Sequence, residues 1–214
     1  NLDSDDLEAF YESLINLPHL ESLDFSNNQL DERGASTLGY VLAKSPTLYS
    51  LTLDKNAFED INFLTEGLEE NKTLTNLSLR NIHLTEEGLK ALGNVLKNNA
   101  SLLTLNLAQN NITDKGFFFL SLGLICNTTL QELNLEGNQL SFKITGNFKE
   151  NAIDSCLKIL YSSSASSEDQ ELAIRAIFDS NNNSLKRRGL DAYLTRALSK
   201  TAEQIIENEQ TLRN

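Results

Sequence analysis

The stretch LLTLNLAQNNI, residues 102–112, recurs along the chain with small changes. The other copies are LESLDFSNNQL at 20–30, LYSLTLDKNAF at 48–58, LTNLSLRNIHL at 74–84 and LQELNLEGNQL at 130–140. Their starting residues lie 28, 26, 28 and 28 positions apart. Each copy follows the pattern L-x-x-L-x-[LF]-x-x-N-x-[LIF], except that Ile82 stands at the asparagine position of the third copy. Repetition at this spacing predicts a solenoid of stacked units.

Each unit has the pattern of a strand, a turn, a helix and a second turn. In L-x-x-L-x-L the second and third leucines alternate with an outward residue, as a short strand requires. The asparagine that follows can bond the backbone of its own turn and of the next coil. Helix starts come next, each marked by a capping residue and an acid at Asp31, Thr85 and Thr113. Small residues that allow close packing follow at Gly34, Gly88 and Gly116.

This pattern resembles the leucine-rich repeat, and its length resembles the ribonuclease-inhibitor type of that repeat. The resemblance implies an α/β horseshoe with a concave parallel β-sheet and convex helices. We assign residues 1–145 to such an array, with about five strands. Ribonuclease inhibition is not implied, because the chain lacks the abundant cysteines and the strand tryptophans of those inhibitors.

The first residues continue the register of the array. Positions 28 residues before Leu30, Leu38 and Leu42 are also apolar, and they hold Leu2, Phe10 and Leu14. Asp3 then stands at the helix-cap position. We therefore expect the chain to begin inside a repeat, just after the strand of that repeat. A dedicated capping helix is the alternative.

Residues 146–214 leave the repeat and predict an all-helical C-terminal cap. Apolar residues at 153, 156, 157 and 160 share one helix face. Ser167-x-x-Gln170 resembles a capping box that starts a second helix, and a third is expected from Ser184 or Gly189 onward. We expect the first of these helices to cover the open end of the leucine core, because every solenoid must close its ends.

The acidic excess of the chain lies entirely in its repeats. The 214 residues include 30 acids and 18 bases, and residues 1–140 hold 20 of the acids against 8 of the bases. So acidic a segment repels phosphate backbones, and we expect no nucleic-acid partner. No apolar run has the length of a transmembrane segment. The basic residues Lys186–Arg188 are interpreted as a solvated helix end.

The sequence predicts neither a catalytic site nor a cofactor nor a metal. His19 and His83 stand beside array leucines at turns, where we expect surface histidines without catalytic partners. Cys156 lies on an apolar helix face, so a buried thiol is expected there. Neither Cys126 nor Cys156 begins the Cys-x-Asp motif of the bacterial ubiquitin ligases that also carry leucine-rich repeats. We predict that the chain is not an enzyme.

Two further patterns carry expectations. Asn-x-Ser/Thr occurs at Asn71, Asn76, Asn99, Asn111, Asn127 and Asn182, and chance explains most of these sites in a chain with 25 asparagines. Phe118 aligns with outward positions of the earlier helices. We expect it on the convex surface, where a neighbouring helix partly covers it or a protein contacts it.

The outward strand positions form the predicted binding surface, the concave face. Its middle column is small and polar, with Asp24, Thr52, Ser78, Asn106 and Asn134; beside it lie Ser26, Asp54, Arg80, Glu136 and Tyr49. Rigid strands that carry adaptable hydrogen-bonding groups suit the recognition of a protein surface. Tyr49 and Arg80 belong to the residue types that most often dominate binding energy. We predict that these residues bind a protein partner and that the chain is a monomer.

The asparagine-rich repeats resemble the leucine-rich-repeat effectors that Legionella-type bacteria deliver into host cytosol. That resemblance implies an intracellular interaction module that binds a host protein and redirects it. Two alternatives stay open. The array selects a substrate for a larger enzyme, such as a ubiquitin-ligase-type effector, or it is the regulatory array of a eukaryotic sensor protein.

Overall fold

The structure, a computed structural model, describes residues 2–58, 60–142, 148–162 and 164–179. The chain forms a first compact unit that ends at Ser155 and a second that begins at Cys156. The repeats belong to the first unit. The third helix predicted for the C-terminal region and the basic residues 186–188 lie outside the described residues.

Five three-residue strands form one parallel sheet in the order of the sequence. They are β1 (Ser22–Asp24), β2 (Ser50–Thr52), β3 (Asn76–Ser78), β4 (Thr104–Asn106) and β5 (Glu132–Asn134). The register places the central strand leucines side by side at 23, 51, 77, 105 and 133. The two-residue shortening of the second repeat therefore leaves the strands in register. The predicted α/β solenoid of the leucine-rich-repeat type is confirmed.

A helix precedes β1, and a helix separates each strand from the next. They are α1 (Ser4–Ile15), α2 (Glu32–Lys44), α3 (Asn62–Glu70), α4 (Glu86–Asn98) and α5 (Asp114–Leu124), the last of which precedes β5. The predicted caps are confirmed, because the side chains of Asp31, Thr85 and Thr113 accept backbone N–H bonds at the starts of α2, α4 and α5. The shortened second repeat has the shortest of these helices, α3, which begins without a side-chain cap.

Helix α1 occupies the place of a repeat helix, as the register of the first residues predicts. The Asp3 side chain accepts the Asp6 N–H, and the Asp6 side chain accepts the Asp3 N–H, so the two residues form a capping box at the start of α1. A parallel backbone bridge joins Asp3 to Gln29, and the equivalent bridge in the last repeats joins Thr113 to Gln139. The start of the chain therefore packs on the array by the same contacts as the repeats that follow.

The asparagine after each strand ties successive repeats together. The side chain of Asn110 is buried; its Oδ1 accepts the Ile82 N–H at 2.9 Å, and its Nδ2 donates to the Leu79 carbonyl at 2.7 Å. Asn56 and Asn138 make the equivalent pair of bonds, and Asn28 makes the equivalent bond through its Oδ1, which accepts the Leu2 N–H, while its Nδ2 donates to the Phe25 carbonyl of its own repeat. The hydrocarbon side chain of Ile82 is fully buried and cannot make them, so this ladder is interrupted at the third repeat.

A second asparagine ladder lies where the helices end. Asn71 and Asn99 directly follow α3 and α4, and Asn127 lies three residues after the end of α5; all three are buried. Asn127 Nδ2 donates to the Leu96 carbonyl and Asn127 Oδ1 accepts the Leu130 N–H, both at 2.7 Å. For these three Asn-x-Ser/Thr sites the expectation of chance is wrong. They recur every 28 residues because each holds one repeat against the preceding one.

Glycines bring two pairs of helices into backbone contact. A Cβ added to Gly67 would lie 2.0 Å from the Gly39 carbonyl oxygen, and one added to Gly123 would lie 1.8 Å from that of Gly93. Helices α2 and α3, and likewise α4 and α5, are therefore closer than any residue with a side chain permits. The glycines predicted near the helix starts make looser contacts, mostly with side chains; they are Gly34, Gly88 and Gly116.

The C-terminal helices within the described residues are α6 (Phe148–Tyr161) and α7 (Ser167–Asp179). Phe148 and Ala152 of α6 belong to the hydrophobic core of the array. Cys156 is buried, as predicted. The predicted capping box is wrong by one residue, because Ser166 and not Ser167 caps α7, its Oγ accepting the Asp169 N–H at 3.0 Å.

Phe118 is not on the surface, contrary to the alignment with earlier helices. Its side chain is only 1% exposed. The repeat alignment assumes that each helix has one apolar face. Helix α5 instead carries the consecutive apolar residues 117–120, and a helix that is apolar on several faces is buried on several faces.

Candidate protein-binding face

The structure places the ten predicted residues on the concave face, nine of them in two columns and Tyr49 apart from these. Asp24, Thr52, Ser78, Asn106 and Asn134 are aligned in the middle column by the strand register. Ser26, Asp54, Arg80 and Glu136 lie beside the ends of the strands, and Tyr49 lies directly before β2. Because adjacent strands are about 4.8 Å apart, the face is about 20 Å wide.

Three predicted residues form a hydrogen-bonded chain across adjacent repeats. The Asn106 amide donates to the Ser78 hydroxyl at 3.0 Å, and that hydroxyl donates to Asp54 Oδ1 at 2.6 Å. The same carboxylate oxygen accepts the backbone N–H of Arg80 at 3.0 Å. These bonds fix polar side chains before a partner arrives, which lowers the entropy lost on binding.

Arg80 and Tyr49, the two predicted hot spots, are both exposed. The Tyr49 side chain is 44% accessible to solvent. Arg80 Nε donates to Gln109 Oε1 at 3.2 Å, so the guanidinium group is oriented along the turn that follows β4. Gln109 was not among the predicted residues, because its position directly before the ladder asparagine identifies it only as a turn residue.

The edge positions of the face bond within their own repeats and not to the central chain of bonds. Asp24 Oδ1 accepts the Ser26 backbone N–H at 2.8 Å and also the Ser26 hydroxyl. The Ser26 bonds lower the pKa of the Asp24 carboxyl. On the opposite edge, Asn134 Oδ1 accepts the Glu136 N–H at 3.0 Å. Carboxylates therefore lie at both edges of the face, with Arg80 between them.

A groove of about 420 Å³ crosses the face from β2 to β5. Besides predicted residues, the first column of outward side chains lines it: Ser50, Asn76, Thr104 and Glu132. These groups are hydrogen-bond donors and acceptors with one carboxylate, which suits polar recognition.

The described residues contain neither a candidate metal site nor a membrane-spanning helix. No group of three or more histidine, cysteine or acidic side chains in this part of the chain could hold a metal ion. None of the described helices is long and apolar enough to cross a bilayer. His19 and His83 are exposed at turns, as the sequence predicts.

Comparison with protein families supports the repeat. A family model described as "Leucine Rich repeat" matches residues 16–39, 98–121 and 126–141. The segment between the first two matches contains the shortened second repeat and Ile82, where this chain departs from its own pattern. No curated protein gives a significant match to the chain.

Similar solved structures include Leiomodin-1 Actin-Binding Site 2 and the tropomodulin C-terminal domain of Caenorhabditis elegans. The first is 17% identical, with a TM-score of 0.42, over 88% of this chain and 97% of that chain. The second is 15% identical, with a TM-score of 0.39, over 86% of this chain and 98% of that chain. These values are too low to transfer a partner to this chain.

Proposed function

We propose that this leucine-rich-repeat array is a non-enzymatic, monomeric interaction module that binds a protein partner on its concave face. The bonded chain Asp54–Ser78–Asn106 carries the proposal. It holds polar groups of neighbouring repeats in fixed positions on a rigid sheet, and exposed Tyr49 and Arg80 lie on the same face. A partner meets a surface that is already ordered.

The size and charge of the face define the part of the partner that fits. An α-helix with its side chains is about 10–12 Å in diameter, so a face about 20 Å wide takes one helix or one loop. Asp24, Glu132 and Glu136 make its two edges acidic. We therefore expect basic residues at the rim of the contact and an acidic residue opposite Arg80.

The proposal extends to an intracellular partner and, following the resemblance to Legionella-type effectors, to a host protein. The asparagine-rich repeats support this extension. Many of those asparagines also have a structural role, because the two ladders account for seven of them.

The test is a quantitative pull-down from eukaryotic cytosol with three forms of the protein. The face variant combines Tyr49→Ala with Asn76→Arg, both at exposed positions that leave the Asp54–Ser78–Asn106 bonds intact. The matched control, Asn94→Arg, adds the same charge on the exposed surface of α4. Circular dichroism checks that all three forms are folded.

We expect a partner that is retained by the wild type and by Asn94→Arg and lost by the face variant. Its affinity is then measured with purified components. If every partner is retained equally by all three forms, or if no protein is enriched, the concave face is not the binding surface and the proposal is wrong.

A further inference from the structure

A groove of about 340 Å³ lies on the helical side of the array, between α2 and α3. Gly39 and Gly67 belong to its lining. At these two glycines the backbones of α2 and α3 are in contact. Two aromatic rings that border the groove are exposed, Tyr40 by 48% and Phe63 by 57%. Adjacent exposed rings beside a groove are typical of an interaction surface.

The second glycine-paired set of helices offers an internal comparison for Phe63. A Cβ on Gly39 would meet the Phe63 carbonyl oxygen at 2.1 Å, and a Cβ on Gly93 would meet the Phe119 carbonyl oxygen at 2.5 Å. Phe119 therefore occupies, on the α4–α5 pair, the position that Phe63 occupies on the α2–α3 pair.

The equivalent ring is covered by lysines of the chain itself. The ammonium groups of Lys90 and Lys115 lie 5.9 and 5.8 Å from the centre of the Phe119 ring, which is half-buried. A cation at this distance is attracted by the negative face of the ring. Ser36 stands where Lys90 stands, three residues before the helix glycine, and no cation lies over Phe63 among the described residues.

The surroundings of the α2–α3 groove are acidic. The carboxylates of Glu66 and Glu70 belong to its lining, and Lys44 is the cation beside them, with its ammonium group 5.8 Å from the Tyr40 ring centre. Tyr11 packs edge-on against Tyr40 at 5.7 Å between ring centres. The charge of nearby Glu12 raises the pKa of the Tyr11 hydroxyl, as expected where the potential is negative.

We propose that the α2–α3 groove is a second docking site, which takes a lysine- or arginine-bearing helical segment of another protein. A side chain of that segment lies over Phe63 as Lys90 lies over Phe119, and its charged group faces Glu66 and Glu70. This site is independent of the concave face, so the chain can hold two partners at once.

The probe is a fluorescent amphipathic peptide of leucine and lysine about 14 residues long, which spans about 21 Å as a helix. Its counterpart has every lysine replaced by glutamate. Binding is measured by anisotropy at about 0.15 M salt, where charges further apart than about 8 Å are largely screened. The key variant, Ser36→Lys, places a lysine where Lys90 stands relative to Phe119. The control, Asn94→Lys, adds the same charge on exposed α4 surface.

We expect saturable binding of the lysine peptide and none of the glutamate peptide. Ser36→Lys should weaken binding about two- to thirtyfold, the range that one cation–π contact supplies, because the new lysine competes for Phe63. Phe63→Ser should weaken it similarly, and the exposed ring contributes little to folding. Asn94→Lys and the concave-face variant should bind as the wild type does.

Three results would overturn the proposal. The first is equal weakening by Ser36→Lys and Asn94→Lys, which would mean unspecific attraction to an acidic protein. The second is loss of peptide binding in the concave-face variant, which would place the peptide on the other surface. The third is the absence of saturable binding up to on the order of 1 mM peptide.

Discussion

Replacing Gly123 by alanine has two opposite effects on the free energy of unfolding, a gain in helix propensity and a steric overlap. In a solvated helix, glycine to alanine stabilises by about 1 kcal/mol. Here the new Cβ would lie 1.8 Å from the Gly93 carbonyl oxygen and 2.7 Å from its carbonyl carbon. Backbone atoms cannot rotate away, so α4 and α5 must separate by about an ångström. Overpacking of this kind costs up to about 3 kcal/mol.

We therefore expect Gly123→Ala to lower the free energy of unfolding by about 2 kcal/mol, after the gain in helix propensity. For a chain of this size the melting temperature should fall by about 4–8 °C. Gly88→Ala is the matched control, because its Cβ would meet Ile61 Cγ1 and Leu84 Cδ2 at 3.3 Å, and both atoms belong to side chains that can shift. Its stability should be unchanged or up to about 1 kcal/mol higher.

Urea unfolding monitored by circular dichroism gives the free energy of unfolding of both variants and of the wild type. Equal slopes with denaturant would show that the surface exposed on unfolding is unchanged, so the midpoints compare stability directly. If Gly123→Ala proves as stable as the wild type, the helices separate at no cost. The argument that glycine sets their spacing would then be refuted.

Two further predictions concern buried and capping bonds. Asn127→Ala leaves the Leu96 carbonyl and the Leu130 N–H without their buried partner and should cost about 3–5 kcal/mol in urea unfolding. Exposed Asn94→Ala, within α4, should leave stability unchanged or raise it by less than about 0.7 kcal/mol. Similar losses in both would contradict the second ladder. A hydrogen bond from the Ser4 hydroxyl is the main reason that the pKa of the Asp31 carboxyl is lowered. The stability that ionised Asp31 provides is therefore complete above the pKa of the unfolded state, about 3.9. It is lost as the pH falls through the lower pKa of the folded state. Ser4→Ala should weaken this dependence in acid titrations of stability; an unchanged profile would contradict the role of Ser4.

The strands, the first asparagine ladder and the helix caps could be predicted because each depends on residue types at fixed local spacing. The second ladder has the same regularity, at Asn71, Asn99 and Asn127, but its residues also match the Asn-x-Ser/Thr motif, which by itself does not distinguish a structural asparagine from a chance occurrence. Three of the glycines at helix contacts follow the repeat spacing, because Gly39, Gly67 and Gly93 lie 28 and 26 residues apart, as the repeat starts do. Gly123 lies 30 residues after Gly93, two residues out of that register, so the repeat period does not locate it.

Strand alternation also predicts which side chains reach the concave face, but it does not predict the bonds among them. The contact from Ser78 to Asp54 joins different columns of neighbouring repeats. Such a diagonal bond depends on side-chain rotamers, which no sequence period encodes. The residues of the candidate site were therefore accessible from the sequence, whereas their pre-organisation was not.

Comparison of the α2–α3 and α4–α5 helix pairs explains why Phe63 is exposed whereas Phe119 is covered. Close backbone contact leaves no room for a ring between the helices, so Phe63 and Phe119 must both lie outside. Lysine stems and ammonium groups cover Phe119. Each square ångström of apolar surface that they remove from water stabilises the fold by roughly 25 cal/mol. Phe63 has the same backbone constraint with Ser36 in place of the lysine. Both rings are kept outside by close backbone contact of their helices, but only Phe119 is covered by lysines. The exposure of Phe63 therefore follows from the side chains around it, and those side chains can be exchanged by mutation.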